Sequence, residues 1–226
     1  FVNTYTDEYT GPKLNDNDHF AYIVGYPDGT ARPEGNITRE EVATIFFRLL
    51  TDESRAKFLS DYNTFSDVSS NRWSNTAIST LVNAGILKGY PDGTFRPAGY
   101  ITRAEMATII AKFANLSGAR DNFTDITNHW ANAYIRSAAS NGWVSGYPDG
   151  RFCPDQFITR AETMAMINRV LTRNPDSPSD LLPNMVTFTD NLNTNAWYYL
   201  HVQEAANGHT YDREKNGTEY WVALTR

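Results

Sequence analysis

The sequence predicts a mainly α-helical fold of helix–loop–helix repeats, set about a pseudo-threefold axis. Three observations lead there. One phrase recurs, as GYPDGTARPEGNITREE at 25–41, GYPDGTFRPAGYITRAE at 89–105 and GYPDGRFCPDQFITRAE at 146–162. A second phrase, Phe-x-Asp followed by Trp and an apolar stretch ending in Gly, occurs at 65–85, 123–142 and 188–208. Both phrases run into apolar residues at helical spacing. Units of this kind cannot bury an apolar face alone and stack on one another.

Residues 1–18 carry no periodicity. The first GYPDG opens at Gly25, the others at Gly89 and Gly146, with 12 residues from each Gly to the Ile of Ile-Thr-Arg. Pro-Asp-Gly is turn chemistry: Pro presets φ, Asp bonds nearby backbone and Gly accepts a positive φ. Each loop then meets Thr38…Glu41, Thr102…Glu105 or Thr159…Glu162. That S/T-x-x-E pattern before an apolar run is a capping box, in which Thr accepts from the third residue's N–H and Glu reaches back. Val42, Ile45, Phe46 and Leu49 predict the helix that follows, as do Met106, Ile109, Ile110 and Phe113. Ala165, Met166, Val170 and Leu171 give a weaker version.

In the other phrase, Trp73, Ala77, Ile78 and Leu81 sit at helical spacing, as do Trp130, Tyr134, Ile135 and Ala138. Gly85, Gly142 and Gly208 read as helix stops. Residues 51–64, 115–122 and 172–187 read as connectors, and the tail 209–226 as a turn flanked by Tyr211 and Tyr220-Trp221.

The two phrases are out of phase. The chain begins with an orphan second half and ends with an orphan first half. This predicts a permuted arrangement in which 188–211 completes the repeat begun at 19–50, with 65–114 and 123–171 as the other repeats, all in one compact domain over 1–226. The helix after Trp197 is then expected beside the helix of Val42.

The 226 residues are 41% hydrophobic and 20% charged, which describes a globular chain. A net charge of −6 argues against a general binder of nucleic acid or anionic membrane. The single cysteine, Cys153, excludes an internal disulfide and a Cys-based metal site. No membrane span or signal peptide is visible, and the opening Phe1 reads as a processed form or a fragment.

No G-x-S-x-G, H-E-x-x-H or phosphate loop appears, so no catalytic residue is assigned and the chain is not expected to be an enzyme. His19, His129, His201 and His209 show no metal spacing; surface or capping roles are expected, with no metal and no cofactor. The sequons at Asn36, Asn115, Asn122 and Asn216 are read as chance.

Arg39, Arg103 and Arg160 sit one residue after the capping Thr. A cation in the first helical turn opposes the helix dipole, so capping does not explain it. Two readings stand about even. One is an anion clamp made with free helix N–H groups. The other is a salt bridge to an acid of a neighbouring half, such as Asp67 or Asp125.

Phe-x-Asp, Trp, GYPDGTF, Pro and ITRAE together resemble the S-layer homology (SLH) family over most of 20–208. The resemblance implies a three-pronged helical spindle, a monomer with an internal pseudo-trimer, at the bacterial cell surface. It implies non-covalent binding of secondary cell-wall polysaccharide through an acidic, often pyruvylated, sugar, which anchors a larger exported protein. It places Arg39, Arg103 and Arg160 among the ligand contacts, and Trp73, Trp130 and Trp197 at the family's aromatic position, facing either a sugar or the core. Neither nucleic-acid binding nor membrane insertion is expected. The first copy departs by Glu40 and Ala31, so the groove on Arg103 is expected to match best and Glu40 to weaken the Arg39 site. The alternatives are a self-assembling surface-layer protein and, with less support, a wall-glycan hydrolase.

Overall fold

The computed structural model describes residues 9–116 and 123–225; Asn122 and part of the 115–122 connector lie outside them. The described residues are mainly helical, with one small hairpin. Helices α1 (Arg39–Leu49), α4 (Arg103–Ala111) and α6 (Arg160–Val170) follow the three Ile-Thr-Arg phrases. Each starts with the expected capping box, worth about 0.5–2 kcal/mol per helix. Helices α3 (Asn75–Asn83), α5 (Asn132–Ser140) and α7 (Tyr199–Ala206) follow the three Trp residues. Helix α2 (Asp52–Phe58) occupies what reads as a connector. It is seven residues long, opens on Thr51 and buries only Ser54, so it leaves no apolar stripe in the sequence.

The three copies meet at a ring of backbone bonds. The N–H of Ile37 donates to Ile158, that of Ile158 to Ile101, and that of Ile101 to Ile37, at 3.4, 3.0 and 3.2 Å. All three isoleucines are buried. A closed cycle of this kind puts the pseudo-threefold axis at the isoleucine of each Ile-Thr-Arg.

Around that axis α1 packs on α3, α4 on α5 and α6 on α7. The C-terminal helix therefore lies beside α6, and not beside α1 as the sequence suggested. The reason is the cyclic rule: each Trp-led helix docks on the Thr-Arg-led helix that precedes it in the chain. The first copy meets 188–208 through its loop instead. Asp67 accepts from the N–H groups of Phe95 and Arg96, and Asp125 from those of Phe152 and Cys153. Asp190 makes the same pair of bonds to Ala31 and Arg32, both at 2.8 Å. Each pair of bonds holds a non-glycine residue at positive φ: 52° at Arg32, 57° at Arg96 and 56° at Cys153. A Cβ on Gly25 would overlap the Phe188 ring, just as one on Gly89 would overlap Phe65 and one on Gly146 would overlap Phe123. Ala205 O also accepts from the N–H groups of Tyr22 and Ile23.

Removing the Asp190 carboxylate leaves two loop N–H groups without their acceptor. Asp190→Ala is expected to cost about 1–3 kcal/mol, and chemical denaturation checks it. Faster amide exchange at Ala31, with no change at Phe95, is the expected local signature.

The tail forms a hairpin of β1 (His209–Arg213) and β2 (Glu219–Leu224), with Tyr211 opposite Trp221, as its turn residues suggested. Gly85 and Gly142 end their helices at φ 75° and 73°. Gly208 does not: α7 ends at an extended Asn207, and the chain passes straight into β1. One apolar core runs through all three copies, and a small second cluster of Leu181, Tyr199 and Trp221 lies under the hairpin.

Candidate functional site

The three arginines are buried and all point across a repeat boundary. Arg39 Nε–H donates to Phe95 O at 2.9 Å, Nη1 to Glu105 Oε1 at 2.7 Å and Nη2 to Lys88 O at 3.0 Å. Arg103 repeats this on Phe152 O, Glu162 and Ser145 O. Arg160 closes the cycle on Ala31 O and Glu41. The partner is thus the capping-box glutamate of the next copy, and neither Asp67 nor Asp125, which clamp loop backbone. The same carboxylates accept from Tyr26, Tyr90 and Tyr147. Burial pushes these three phenols up, so they stay protonated and donate. The Arg39 and Arg103 guanidiniums lie 4.8 Å from the Tyr90 and Tyr147 ring centres, and that of Arg160 lies 4.9 Å from Tyr26.

The helix N-termini are not free. Arg39 and Glu40 N–H groups donate to Gly99 and Pro97, those of Arg103 and Ala104 to Gln156 and Pro154, and those of Arg160 and Ala161 to Gly35 and Pro33. The capping Thr takes the next N–H along. Of the two readings of the arginines, the geometry matches the salt bridge to a neighbouring half, as an inter-repeat clasp in which these N–H groups are already engaged.

The tryptophans are 64%, 62% and 60% exposed at Trp73, Trp130 and Trp197. Each lies two residues before its helix, off the buried stripe that its spacing suggested. Grooves run between clasp and tryptophan. One, of about 610 Å³, is lined by Arg39, Lys88, Tyr90, Glu105, Lys112 and Trp130, with Leu87 and Ile109 along an apolar wall. Another, of about 430 Å³, includes Tyr26, Arg32, Glu40, Glu41, Trp73 and Arg160. Arg39 thus shares a groove with Trp130, and Arg160 with Trp73. Arg103 keeps its clasp to Tyr147 and Glu162 at the third boundary.

Charge separates the two grooves. The first sets three cations against one carboxylate, the second two against two. Glu40 does not weaken the Arg39 groove, because it lines the other one. Burial opposes its ionisation, but a bidentate Arg72 and the Ser74 hydroxyl outweigh that and hold its carboxyl below the usual range. Lys112 Nζ donates to the Gly85 and Ile86 carbonyls at 3.0 and 2.9 Å. Burial, with Lys88 nearby, pushes its ammonium below the ordinary value. Sequence reasoning missed Lys88 and Lys112. For Lys112 the signal was there: a basic residue stands ten positions after each capping Thr, as Arg48, Lys112 and Arg169; Lys88 has no such repeat, with Val24 and Ser145 in its place.

His19 and His209 are buried, not at the surface. His129 does cap, accepting the Ala131 N–H on Nδ1.

The S-layer homology domain model matches residues 21–43, 64–107 and 122–164. The chain is 41% identical over 209 residues to cell surface glycoprotein 1 of Acetivibrio thermocellus, covering 86% of this chain and 9% of that protein. It is 38% identical over 212 residues to the cellulosome-anchoring protein of the same organism, covering 91% and 46%. It is 36% identical over 106 residues to an S-layer protein of Bacillus licheniformis, covering 46% and 12%. The chain thus spans less than half the length of each of these relatives. Three repeated loops, three capping boxes and three matched segments together make this chain a member of the S-layer homology domain family.

Proposed function

We propose that this chain binds an acidic secondary cell-wall polysaccharide non-covalently in its inter-repeat grooves, and so anchors a larger exported protein at the bacterial cell surface. The repeats are read as 65–114, 123–171, and 19–50 completed by 188–211. The observation that carries the reading is the Arg39 groove, where an exposed Trp130 faces Lys88 and Lys112 across an apolar wall. A flat aromatic covers a sugar face, and the ammonium groups offset a sugar carboxylate. Arg39 contributes by fixing Tyr90 and Glu105 and by adding positive potential from the groove floor. Repeat symmetry assigns Trp197 to Arg103 in the same way. A second groove on the same body, even a weaker one, adds avidity on a surface that presents many chain ends. The names of the relatives, a cellulosome-anchoring protein and a cell surface glycoprotein, support the anchoring role. The carboxylates that line the two grooves, Glu40, Glu41 and Glu105, are each held by an arginine, which supports binding rather than turnover.

Calorimetric titration with purified wall polysaccharide tests the reading. Lys88 is exposed, bonds Arg39 through its backbone carbonyl and not through its ammonium, and is peculiar to this groove; Ser145 and Val24 occupy the equivalent places. Lys88→Gln is expected to weaken binding roughly fivefold, the equivalent of about 1 kcal/mol. It is also expected to flatten the salt dependence of the affinity. An unchanged affinity and slope would remove Lys88 from the site.

A further inference from the structure

We infer that His19, Glu204, His209 and Glu219 form a closed structural site for a tetrahedral divalent metal, zinc in the first instance. The four residues come from four places: the segment before the first loop, α7, β1 and β2. All four side chains are fully shielded from solvent. One ligand atom from each lies within 4.8 Å of the others.

The spacing is that of a coordination shell. His19 Nδ1 stands 3.1 Å from His209 Nε2, 3.4 Å from Glu204 Oε1 and 3.1 Å from Glu219 Oε1. His209 Nε2 is 3.4 Å from each of the same two oxygens. A tetrahedral zinc with ligands at about 2.0–2.1 Å has edges of about 3.3–3.4 Å. Five of the six edges of this cluster, at 3.1–3.4 Å, therefore fall at or just below the tetrahedral value, and the sixth, between the two carboxylates, lies within 4.8 Å and would close on metal binding.

Hydrogen bonding points the same way. His209 Nδ1 lies 2.9 Å from Asn207 O, and that contact requires the proton on Nδ1. In the neutral ring its Nε2 is then a lone pair 3.4 Å from each of two carboxylate oxygens and beside a second imidazole, so either a proton or a metal ion must lie between them. Acceptors crowded in a dry pocket repel unless a proton or a metal cation sits among them, and one metal would serve all four donors at once. Glu204 Oε1 is buried with no hydrogen-bond partner among the described residues. His19 Nε2 is also buried without one, under either reading of the cluster. Outer contacts fix the donors: Trp221 Nε1–H donates to Glu204 Oε2 at 2.9 Å. His19 stacks on Tyr211 and His209 on Trp221, at 3.9 and 4.2 Å.

The donor set selects the metal. Two imidazoles with two carboxylates suit zinc better than calcium or magnesium, which take oxygen shells. Two carboxylates and two neutral imidazoles balance a divalent charge within the shell, while Arg213, 3.7 Å from Glu219 Oε2, and the buried Arg173 stand outside it as further cations. Four protein donors leave no open position, so the site is structural. It would bind the N-terminal segment, α7 and the hairpin together beside the bonds from Tyr22 and Ile23 to Ala205, where the two ends of the chain close the ring.

The test uses the whole chain, stripped with a chelator and titrated with cobalt(II) and then zinc. The expected result is one metal per chain, the intense visible bands of tetrahedral cobalt, their loss on adding zinc, and a higher melting temperature with zinc. Glu204→Gln and His19→Gln are expected to lose the bands while keeping the helical circular dichroism. If either variant fails to fold, the stoichiometry and spectrum of the wild type decide alone. A wild type that takes up no stoichiometric cobalt, or melts at the same temperature with and without zinc, would overturn the site and leave a proton-bridged ion cluster.

Discussion

Arg39→Ala is expected to cost about 3–5 kcal/mol of unfolding free energy, because it breaks a buried ion pair and strands its partners. Glu105 loses its cation, and the Phe95 and Lys88 carbonyls lose their donors. The loss falls at a repeat boundary, so unfolding should also become less cooperative between copies. Arg39→Lys should recover only part of it, since a single ammonium cannot reach three acceptors that lie in a planar fork's directions. Urea denaturation measures both. A loss below about 1 kcal/mol, together with abolished glycan binding, would return Arg39 to the anion-clamp reading.

Trp130→Ala should behave in the opposite way. Its side chain is 62% exposed, so stability should hold within about 0.5 kcal/mol. Affinity for the polysaccharide should fall about 30-fold, as for other aromatic anchors that carry about 2 kcal/mol. Tryptophan fluorescence should shift on ligand addition in the wild type and lose that component in the variant. Trp73→Ala is the comparison: its groove balances two cations with two carboxylates, so an acidic ligand should feel its loss less. Equal losses at both positions would mean that charge does not rank the grooves.

The sequence carried the local part of this architecture well, because capping is local. Thr102 and Glu105 are three residues apart, and their box depends on nothing farther away. The loop aspartates were legible as turn formers for the same reason. Partners across a repeat boundary were not. Arg39 and Glu105 are 66 residues apart, and only the closed isoleucine ring brings one copy's cation to the next copy's cap. The helix N–H groups looked free for the same reason: Gly99 and Pro97 reach them from the next loop. Whether the tryptophans face a sugar or the core stayed open in the sequence because their spacing continues the helical stripe, whereas each helix begins two residues later and the rings are exposed. Helix α7 was assigned to the wrong neighbour because permutation of the phrases leaves open which interface closes by loop and which by helix. The His19 cluster was invisible, since four ligands scattered from residue 19 to residue 219 have no spacing to read.

The measurement that bears most directly on the function is a calorimetric comparison of one wall polysaccharide with and without its acidic substituent. Both forms are titrated into the wild type and Trp130→Ala. Saturable binding that needs both the substituent and Trp130 is the predicted result. Binding that ignores the substituent, or that persists undiminished in Trp130→Ala, would contradict an acidic-sugar site in the Arg39 groove.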